Sequence, residues 1–316
     1  MAGGEAVVAL ALGAMVCLGL SDLLNKRAMR AGVRRTEFLV VQSAFFIATT
    51  LVLLPLLGGI VWSPYLGLAV VCGLVTFGSY WCVLRALEKG EATVVTPVYR
   101  MSFAWAVVLA VLLLGEEVTA RKLLGLLLVV AALLLLTATD RRGAPHQAAT
   151  CSSEGLPVCE GGDGPGNGGA LLTAPIAFAI VALLLIGTKG FLYKVGADSG
   201  APAATFTLVQ ALTFLPVAMA SAHASDGRVA ASRLTLRHAP FNGVLTALAS
   251  VLLFLALERG EAIVAVPISQ LCFVVTAVLA MAVLGERPTA AKATGVLAAI
   301  AAVLVLSSAL PLPFGL

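Results

Sequence analysis

The sequence predicts an all-α membrane protein in which ten transmembrane helices form two inverted repeats of five helices. Three observations lead to this prediction: a strongly apolar composition, ten apolar runs of membrane-crossing length, and motifs that occur once in each half of the chain. The 316 residues are 60% hydrophobic and 11% charged, and the mean hydropathy is +1.04. Soluble domains carry about 25% charged residues, so the composition excludes a soluble enzyme.

The apolar runs define the predicted helices. A bilayer core about 30 Å thick is crossed by about 20 helical residues. Runs of about this length cover residues 6–25, 37–57, 65–87, 92–114, 123–139, 171–193, 203–222, 240–257, 262–284 and 293–310. They are expected to be helices, because the edge of an open sheet in lipid would leave backbone polar groups unpaired.

A polar segment separates the fifth run from the sixth. Residues 140–169 are rich in Gly, Pro and polar side chains, which predicts a flexible linker between a first repeat over 1–139 and a second over 170–316. Cys151 and Cys159 of this segment are expected to be unpaired thiols, because their spacing matches no strong metal pattern. A disulfide or a metal site is the alternative, and no metal or cofactor is expected elsewhere.

Two sequence motifs each occur twice in the chain. "ALEKGEATVVTPV" at 86–98 returns as "ALERGEAIVAVPI" at 256–268, which is 170 positions later, and "LLLGEEVTARKLLG" at 112–125 pairs with "AVLGERPTAAKATG" at 282–295 at the same spacing. The first and second runs of each half also match, at a spacing of 168: Gly19 with Gly187, Lys26 with Lys194, and Gln42 with Gln210. The chain is therefore a duplicated five-helix unit. Since five is an odd number of crossings, the two copies are predicted to be inverted, as in secondary transporters.

These motifs resemble the EamA-type repeats of the drug/metabolite transporter superfamily. The resemblance rests on the repeated phrase with its proline, the "LGE" turn before the last span of each half, and the lysine that closes each first span. It covers nearly the whole chain except the linker. It implies a ten-helix carrier of small metabolites in the cell membrane. It also implies a central cavity walled largely by spans one, three and four and by spans six, eight and nine.

The repeated phrase surrounds a tight turn. Glu91 and Glu261 stand at the first turn of the next helix, where a carboxylate meets unpaired N–H groups and the positive end of the helix dipole, so both are predicted to stabilise that end. A substrate role is the alternative. Pro97 and Pro267 lie six residues further on, and each is predicted to kink its helix, because proline removes one helix hydrogen bond. These four residues are the candidate structural and gating positions.

Arg100 is the strongest candidate for substrate binding. It lies eight residues into the fourth run, which is about 12 Å deep at 1.5 Å per residue. A central arginine costs about 2.5 to 3.5 kcal/mol or more, so it is expected to face a wet cavity and bind a carboxylate or phosphate of the substrate. The alternative is a structural strut paired with carbonyls or with Asp22. Its repeat-mate Gln270 is neutral, which predicts an electrically asymmetric cavity.

Other polar residues in the spans complete the candidate site. Asp22 and Lys26 lie one helical turn apart, so Asp22 either neutralises Lys26 or carries a coupled proton. Lys189 is a candidate substrate cation in span six, whereas Lys194 is expected to reach the lipid headgroups. Tyr80 and Tyr99 are candidate aromatic contacts, and the matched glutamines are expected to form hydrogen bonds between helices.

Basic residues give conflicting evidence on orientation. Lys and Arg concentrate in one set of alternate loops, including Arg34, Arg35, Arg141 and Arg142, which places the termini outside and the linker in the cytoplasm. The family resemblance implies cytoplasmic termini. Because the basic residues lie in short loops between apolar runs, no nucleic-acid partner is expected.

The expected function is secondary active transport, with export as the direction, of a small polar metabolite such as an amino acid or organic anion. Alternating access by a monomer or homodimer is the expected mechanism, with proton coupling as one option. A passive channel and a membrane scaffold are the alternatives: a channel would need no substrate-driven conformational change, and a scaffold would not require Arg100 at mid-membrane. The sequence contains no G-x-x-x-x-G-K-[ST] phosphate loop, so this chain is not expected to hydrolyse ATP.

Overall fold

Helices form every regular element in the part of the chain that the computed structural model describes, which is residues 2–89, 95, 98–143, 174–226, 231–284 and 290–308. In the first half they are α1 (Ala2–Arg30), α2 (Arg35–Leu53), α3 (Leu66–Lys89), α4 (Ser102–Leu114) and α5 (Ala120–Gly143). In the second half they are α6 (Ala174–Asp198), α7 (Ala203–Asp226), α8 (Arg233–Arg259), α9 (Ala262–Gln270), α10 (Cys272–Leu284) and α11 (Ala290–Ser308). A 3₁₀ turn, Leu54–Leu57, extends α2.

Seven of the helical segments in these described ranges are long and apolar enough to cross a membrane. Two shorter apolar segments, Val98–Leu114 and Ala293–Ser307, accompany them. Polar and apolar side chains are only weakly separated between the faces of such helices, because lipid, like the protein core, accepts apolar side chains. The all-helical architecture that the composition predicts is therefore present.

Several helices extend beyond the apolar runs. α1 continues to Arg30, α6 continues to Asp198, and α5 continues to Gly143, past the predicted start of the linker. α8 begins at Arg233, before the predicted start at 240, because Ser232 caps it: its Oγ accepts a hydrogen bond from the Thr235 N–H at 3.2 Å. Hydropathy detects the lipid-facing part of a helix, whereas capping fixes its end. Residues 144–173, with Cys151 and Cys159, lie outside the described residues.

The fourth span of each half is interrupted at the same place. In the second half α9 ends at Gln270 and α10 begins at Cys272, and the Leu271 N–H bonds to the Ile268 carbonyl at 3.2 Å. In the first half the Met101 N–H bonds to the Val98 carbonyl, also at 3.2 Å, just before α4. Met101 and Leu271 are 170 residues apart and adopt nearly the same backbone angles, φ −73° and ψ 7° against φ −67° and ψ 7°. Both halves therefore contain the same break.

The break does not coincide with the predicted proline kink. Pro267 lies inside α9, and the interruption falls four residues later, at Leu271. Proline weakens the turn before it, so Pro267 alone does not explain a break on its C-terminal side. Pro97 lies outside the described residues.

Close contacts at two glycines explain why the fourth spans pack where they do. A Cβ on Gly19 would lie 2.5 Å from the Val275 Cβ and 2.9 Å from the Cys272 carbonyl oxygen. The contact repeats in the other half, where a Cβ on Gly187 would lie 2.9 Å from the Trp105 Cβ and 2.5 Å from the Ser102 carbonyl oxygen. Only glycine permits this approach. The matched glycines of the sequence are thus the positions at which the interrupted helices pack closely against the first helix of the other half.

Most of the main helix contacts join the two halves, and each of them recurs with the roles of the halves reversed. α1 packs on α8 as α6 packs on α3, α2 packs on α8 as α7 packs on α3, and α4 packs on α6 as α10 packs on α1. α2 meets its own repeat-mate α7, and α5 meets α11. When a helix of one half contacts a helix of the other half, and their repeat-mates make the same contact, the interface has two-fold character.

Candidate functional site

A cavity with an empty volume of about 540 Å³, partly open to solvent, lies between the first three helices of each half. This volume includes the part of the cavity that opens to solvent. It is lined by Leu18, Leu39, Gln42, Ser43, Phe46, Thr76, Tyr80, Lys189, Gln210, Ala211, Phe214, Thr246 and Ser250.

The walls of this cavity differ from those that the family resemblance implies. α2 and α7 contribute to it, whereas no described residue of the fourth or ninth span does. The reason is their close packing on the first helices: at their breaks, the fourth and ninth spans contact Gly187 of α6 and Gly19 of α1. The expectation that spans four and nine wall the cavity is therefore wrong for this cavity.

The polar lining consists largely of repeat-mates. The Gln210 Nε2 donates to the Thr76 Oγ1 at 3.0 Å, and in the mirrored contact the Gln42 Nε2 donates to the Thr246 Oγ1 at 3.4 Å. Each glutamine thus reaches from the second helix of one half to the third helix of the other. The expected interhelical hydrogen bonds of the two glutamines are confirmed, and they lie at the cavity wall.

Lys189 is the charged side chain of this lining. Its Nζ lies 5.3 Å from the centroid of the Tyr193 ring, and it makes no hydrogen bond or ion pair with another described residue. The buried Tyr193 hydroxyl donates to the Gln210 Oε1 at 2.5 Å. Tyr80 lines the same space and packs edge-on against Phe214, with 6.0 Å between ring centroids. Lys189 and Tyr80 are the two predicted substrate residues that the structure brings to the cavity.

Arg100 has a different environment. Its Nη2 lies 2.5 Å from the Asp22 Oδ2, and its Nη1 donates to the Cys272 Sγ at 3.0 Å. The guanidinium also lies over the Tyr99 ring, 5.6 Å from its centroid. Arg100, Tyr99 and Gln270 do not line the cavity. The charge of Arg100 is compensated inside the protein, which is the strut arrangement that the sequence left as the alternative.

The ion pair lies near the cavity, although outside its wall. Leu18, which lies one helical turn before Asp22 in α1, is part of that wall. Asp22 also accepts a weak hydrogen bond from the Cys272 Sγ at 3.8 Å, and the side chain of Lys26 lies outside the described part of the chain.

A neutral network occupies the first-half positions that correspond to Lys189 and Tyr193. Their repeat-mates are Ser21 and Asn25. The Ser21 Oγ donates to the Asn242 Oδ1 at 2.5 Å, and the Asn242 Nδ2 donates to the Asn25 Oδ1 at 3.1 Å. Equivalent positions therefore carry a neutral hydrogen-bonded network in one half and, in the other, a cation with no carboxylate partner among the described residues.

A second polar cluster surrounds the turn between α8 and α9. Glu261 occupies the N-cap position of α9, but its side chain makes no cap hydrogen bond. Instead the Glu116 carboxylate accepts hydrogen bonds from the N–H groups of Ala262 at 2.7 Å and Ile263 at 2.9 Å. Glu261 pairs with Lys122. The prediction that Glu261 binds these N–H groups is wrong, because a carboxylate arriving from another loop reaches both of them along the helix axis. Glu91 lies outside the described residues.

Lys194 closes the other side of this turn. Its Nζ donates to the carbonyls of Leu257 at 3.1 Å and Gly260 at 2.8 Å, and it pairs with Asp198 at 2.7 Å. The expectation that Lys194 reaches the headgroups is therefore wrong. The last carbonyls of a helix lack intrahelical partners, and a buried ammonium satisfies them.

Sequence reasoning missed three residues of these clusters. Glu116 belongs to the doubled "LGE" motif, so its repetition was a signal, although it was interpreted only as a marker of the repeat. Cys272 and Asn242 gave no usable signal, because a cysteine or asparagine in an apolar run is consistent with simple packing.

Comparison with known proteins agrees with this architecture. Residues 6–138 and 173–308 match the EamA-like transporter family. A solved structure whose title reads only "Crystal structure of protein" is similar at a TM-score of 0.72 and 13% identity, over 95% of this chain and 96% of that one. At this identity the likeness shows the fold alone. No curated protein sequence gives a significant match.

Proposed function

Because the chain belongs to the EamA-like transporter family, a family of membrane transporters and not of enzymes, we propose that it exports a small polar metabolite by alternating access. The chain is an integral multi-pass membrane protein of the drug/metabolite transporter type. The observation that carries the proposal is the cavity between the halves, with the half-buried cation Lys189 in its wall. The cell membrane is the proposed location.

We propose that ten spans form two inverted repeats. Val7, near the start of α1, packs against Gly260, and Lys194, near the end of α6, bonds to the carbonyl of the same glycine. These two contacts support first helices that run in opposite directions in the two halves. The matched close contacts at Gly19 and Gly187 and the matched helix breaks at Met101 and Leu271 support the same arrangement.

The depth of the cavity supports a substrate site near mid-membrane. Gln42 lies seven residues after the start of α2, and Gln210 lies seven residues after the start of α7. In an inverted arrangement these helices start at opposite faces, so each glutamine is about 10 Å from its own face. Inverted-repeat transporters hold substrate at such a position.

The cluster at the α8–α9 turn is the proposed gate of one face. Glu116, Lys122 and Lys194 hold the turn from two sides, and their contacts must break if this face is to open. Pro267, within α9, is the proposed flexible point that accommodates the movement. Glu91 and Pro97 correspond to Glu261 and Pro267 in the repeat, so we propose an equivalent gate at the opposite face.

Lys189 and Tyr80 are the proposed substrate contacts. Arg100, Tyr99 and Gln270 would reach substrate only in a state in which the Asp22–Arg100 pair has opened. A proton on Asp22 would remove the carboxylate charge that holds the pair, and this is the proposed route to proton coupling. Surrounding lipid is the other proposed partner of a monomer or homodimer, and exposed large apolar residues such as Trp62 and Phe241 support that contact.

The test is uptake into proteoliposomes, with a panel of labelled organic acids and amino acids, with and without an imposed pH gradient. A secondary transporter gives saturable uptake that is accelerated by unlabelled substrate on the far side. Asp22→Asn should lose any dependence on the pH gradient. Uptake that does not saturate and shows no such acceleration would indicate a passive channel, and absence of all uptake would indicate a scaffold.

A further inference from the structure

The charge balance of the cavity determines which substrates it can hold. Lys189 is the charged group among its lining residues, and the remaining polar groups are amides and hydroxyls. Among the described residues Lys189 has no carboxylate partner, whereas Lys122, Lys194 and Arg100 each have one. The neighbouring Asp22–Arg100 pair adds no net charge. The cavity therefore carries one uncompensated positive charge.

Resting on the proposed transport function, we propose that the substrate is a small organic monoanion whose carboxylate, or comparable oxyanion, pairs with the Lys189 ammonium. A buried cation is strongly disfavoured without a counter-charge, and an anion entering the cavity supplies it. A zwitterionic amino acid fits less well, because none of the described lining residues carries a carboxylate to receive its ammonium. An organic cation would meet an uncompensated like charge.

The rest of the lining favours a neutral, partly apolar body on this anion. Both ends of the Gln210 amide already form hydrogen bonds: the Nε2 donates to Thr76, and the Oε1 accepts from Tyr193. Gln42 makes only the long 3.4 Å contact and so retains hydrogen-bonding capacity for a ligand. Phe46 and Phe214 present apolar surface in the same space. A second negative charge would meet no further cation among the described lining residues, so monoanions are favoured over dianions.

Three probes of nearly equal shape test the charge preference. Benzoate, benzamide and benzamidine share a planar ring and carry one negative, no, and one positive charge at neutral pH. Binding to the purified full-length chain in detergent is measured as the ligand-dependent shift of its melting temperature. We expect benzoate to bind about tenfold or more tightly than benzamide, and benzamidine to bind most weakly.

Variants link this preference to one residue. Lys189→Gln should remove the preference for benzoate over benzamide, and Lys189→Arg should retain it. Arg237→Gln, which removes an exposed positive charge at the start of α8, is the matched control and should behave like the unmodified chain. Equal or tighter binding of benzamidine, failure of benzoate to bind, or an unchanged preference in Lys189→Gln would each overturn the proposal.

Failure of this inference is distinguishable from failure of the transport function. Saturable transport of a cation or zwitterion that is unaffected by Lys189→Gln would leave transport intact and refute the anion site. Binding of benzoate that depends on Lys189, without movement of any tested organic acid across proteoliposome membranes, would support the site and refute transport.

Discussion

Arg100 and Lys189, two half-buried cations of the membrane spans, have different surroundings. Arg100 contacts a carboxylate and a thiol and lies outside the cavity. Lys189 faces the cavity, and among the described residues it has no hydrogen-bond or ion-pair partner and lies over an aromatic ring. Both carry an energetic cost in a membrane. A cation that is paired with a carboxylate of the protein has a structural role, whereas a cation without such a partner is expected to bind a ligand of opposite charge. Depth in the membrane alone, which is what the sequence provides, does not separate these roles.

The largest expected change in stability follows from removing Arg100. Arg100→Gln should leave Asp22 buried without its partner and lower the free energy of unfolding by about 3 kcal/mol, the low end of the range for buried pairs, because 27% of the Asp22 side chain is exposed. Thermal unfolding in detergent measures this. The double variant Asp22→Asn/Arg100→Gln should recover much of the loss. A stable single variant would contradict the strut and restore a substrate role for Arg100.

A smaller loss is expected at the proposed gate. Glu116→Gln should weaken the two hydrogen bonds to the start of α9 and reduce stability by about 1.5 kcal/mol, because a neutral amide accepts more weakly than a carboxylate. It should also increase the rate of transport if opening of this face limits the cycle. Glu117→Gln, which changes an exposed neighbour, is the control. Unchanged stability and unchanged transport together would rule out a gate at this turn.

The matched glutamines provide a finer comparison between the halves. Gln210→Ala should cost about 1 kcal/mol more than Gln42→Ala, because Gln210 makes two hydrogen bonds, at 2.5 and 3.0 Å, and Gln42 makes one at 3.4 Å. Melting temperatures of the two variants, prepared side by side, give the difference. Equal losses would show that the two halves are energetically equivalent at this position.

The smallest stability change, with the strongest functional effect, is expected at Lys189. Lys189→Gln removes an uncompensated charge, so the melting temperature should stay the same or rise. Saturable uptake of organic anions into proteoliposomes should nevertheless fall about tenfold or more. Loss of stability in this variant would mean that Lys189, like Arg100, is part of the framework, and the contrast between the two cations would disappear.

The predicted all-helical architecture is confirmed, and seven helical segments of the described residues are long and apolar enough to cross a membrane, because a helix in lipid is determined by local properties. The length of an apolar run and the absence of water to solvate backbone groups are sufficient to predict it. Helix ends were less accurate, as at Ser232, because capping depends on single side chains. The duplication was also evident, since matched glycines and glutamines are written at constant spacing and prove to make mirrored contacts.

The roles of the polar residues depended on partners that are distant in the sequence. Arg100 meets Asp22 and Cys272, and Glu116 meets the start of α9, across separations of 78 to 172 residues. Composition and spacing established a duplicated helical membrane protein with costly buried charges. Which of those charges is neutralised internally, and which remains available to a ligand, depends on distances of a few ångströms between the two halves. Those distances exist only after the repeats have packed against each other.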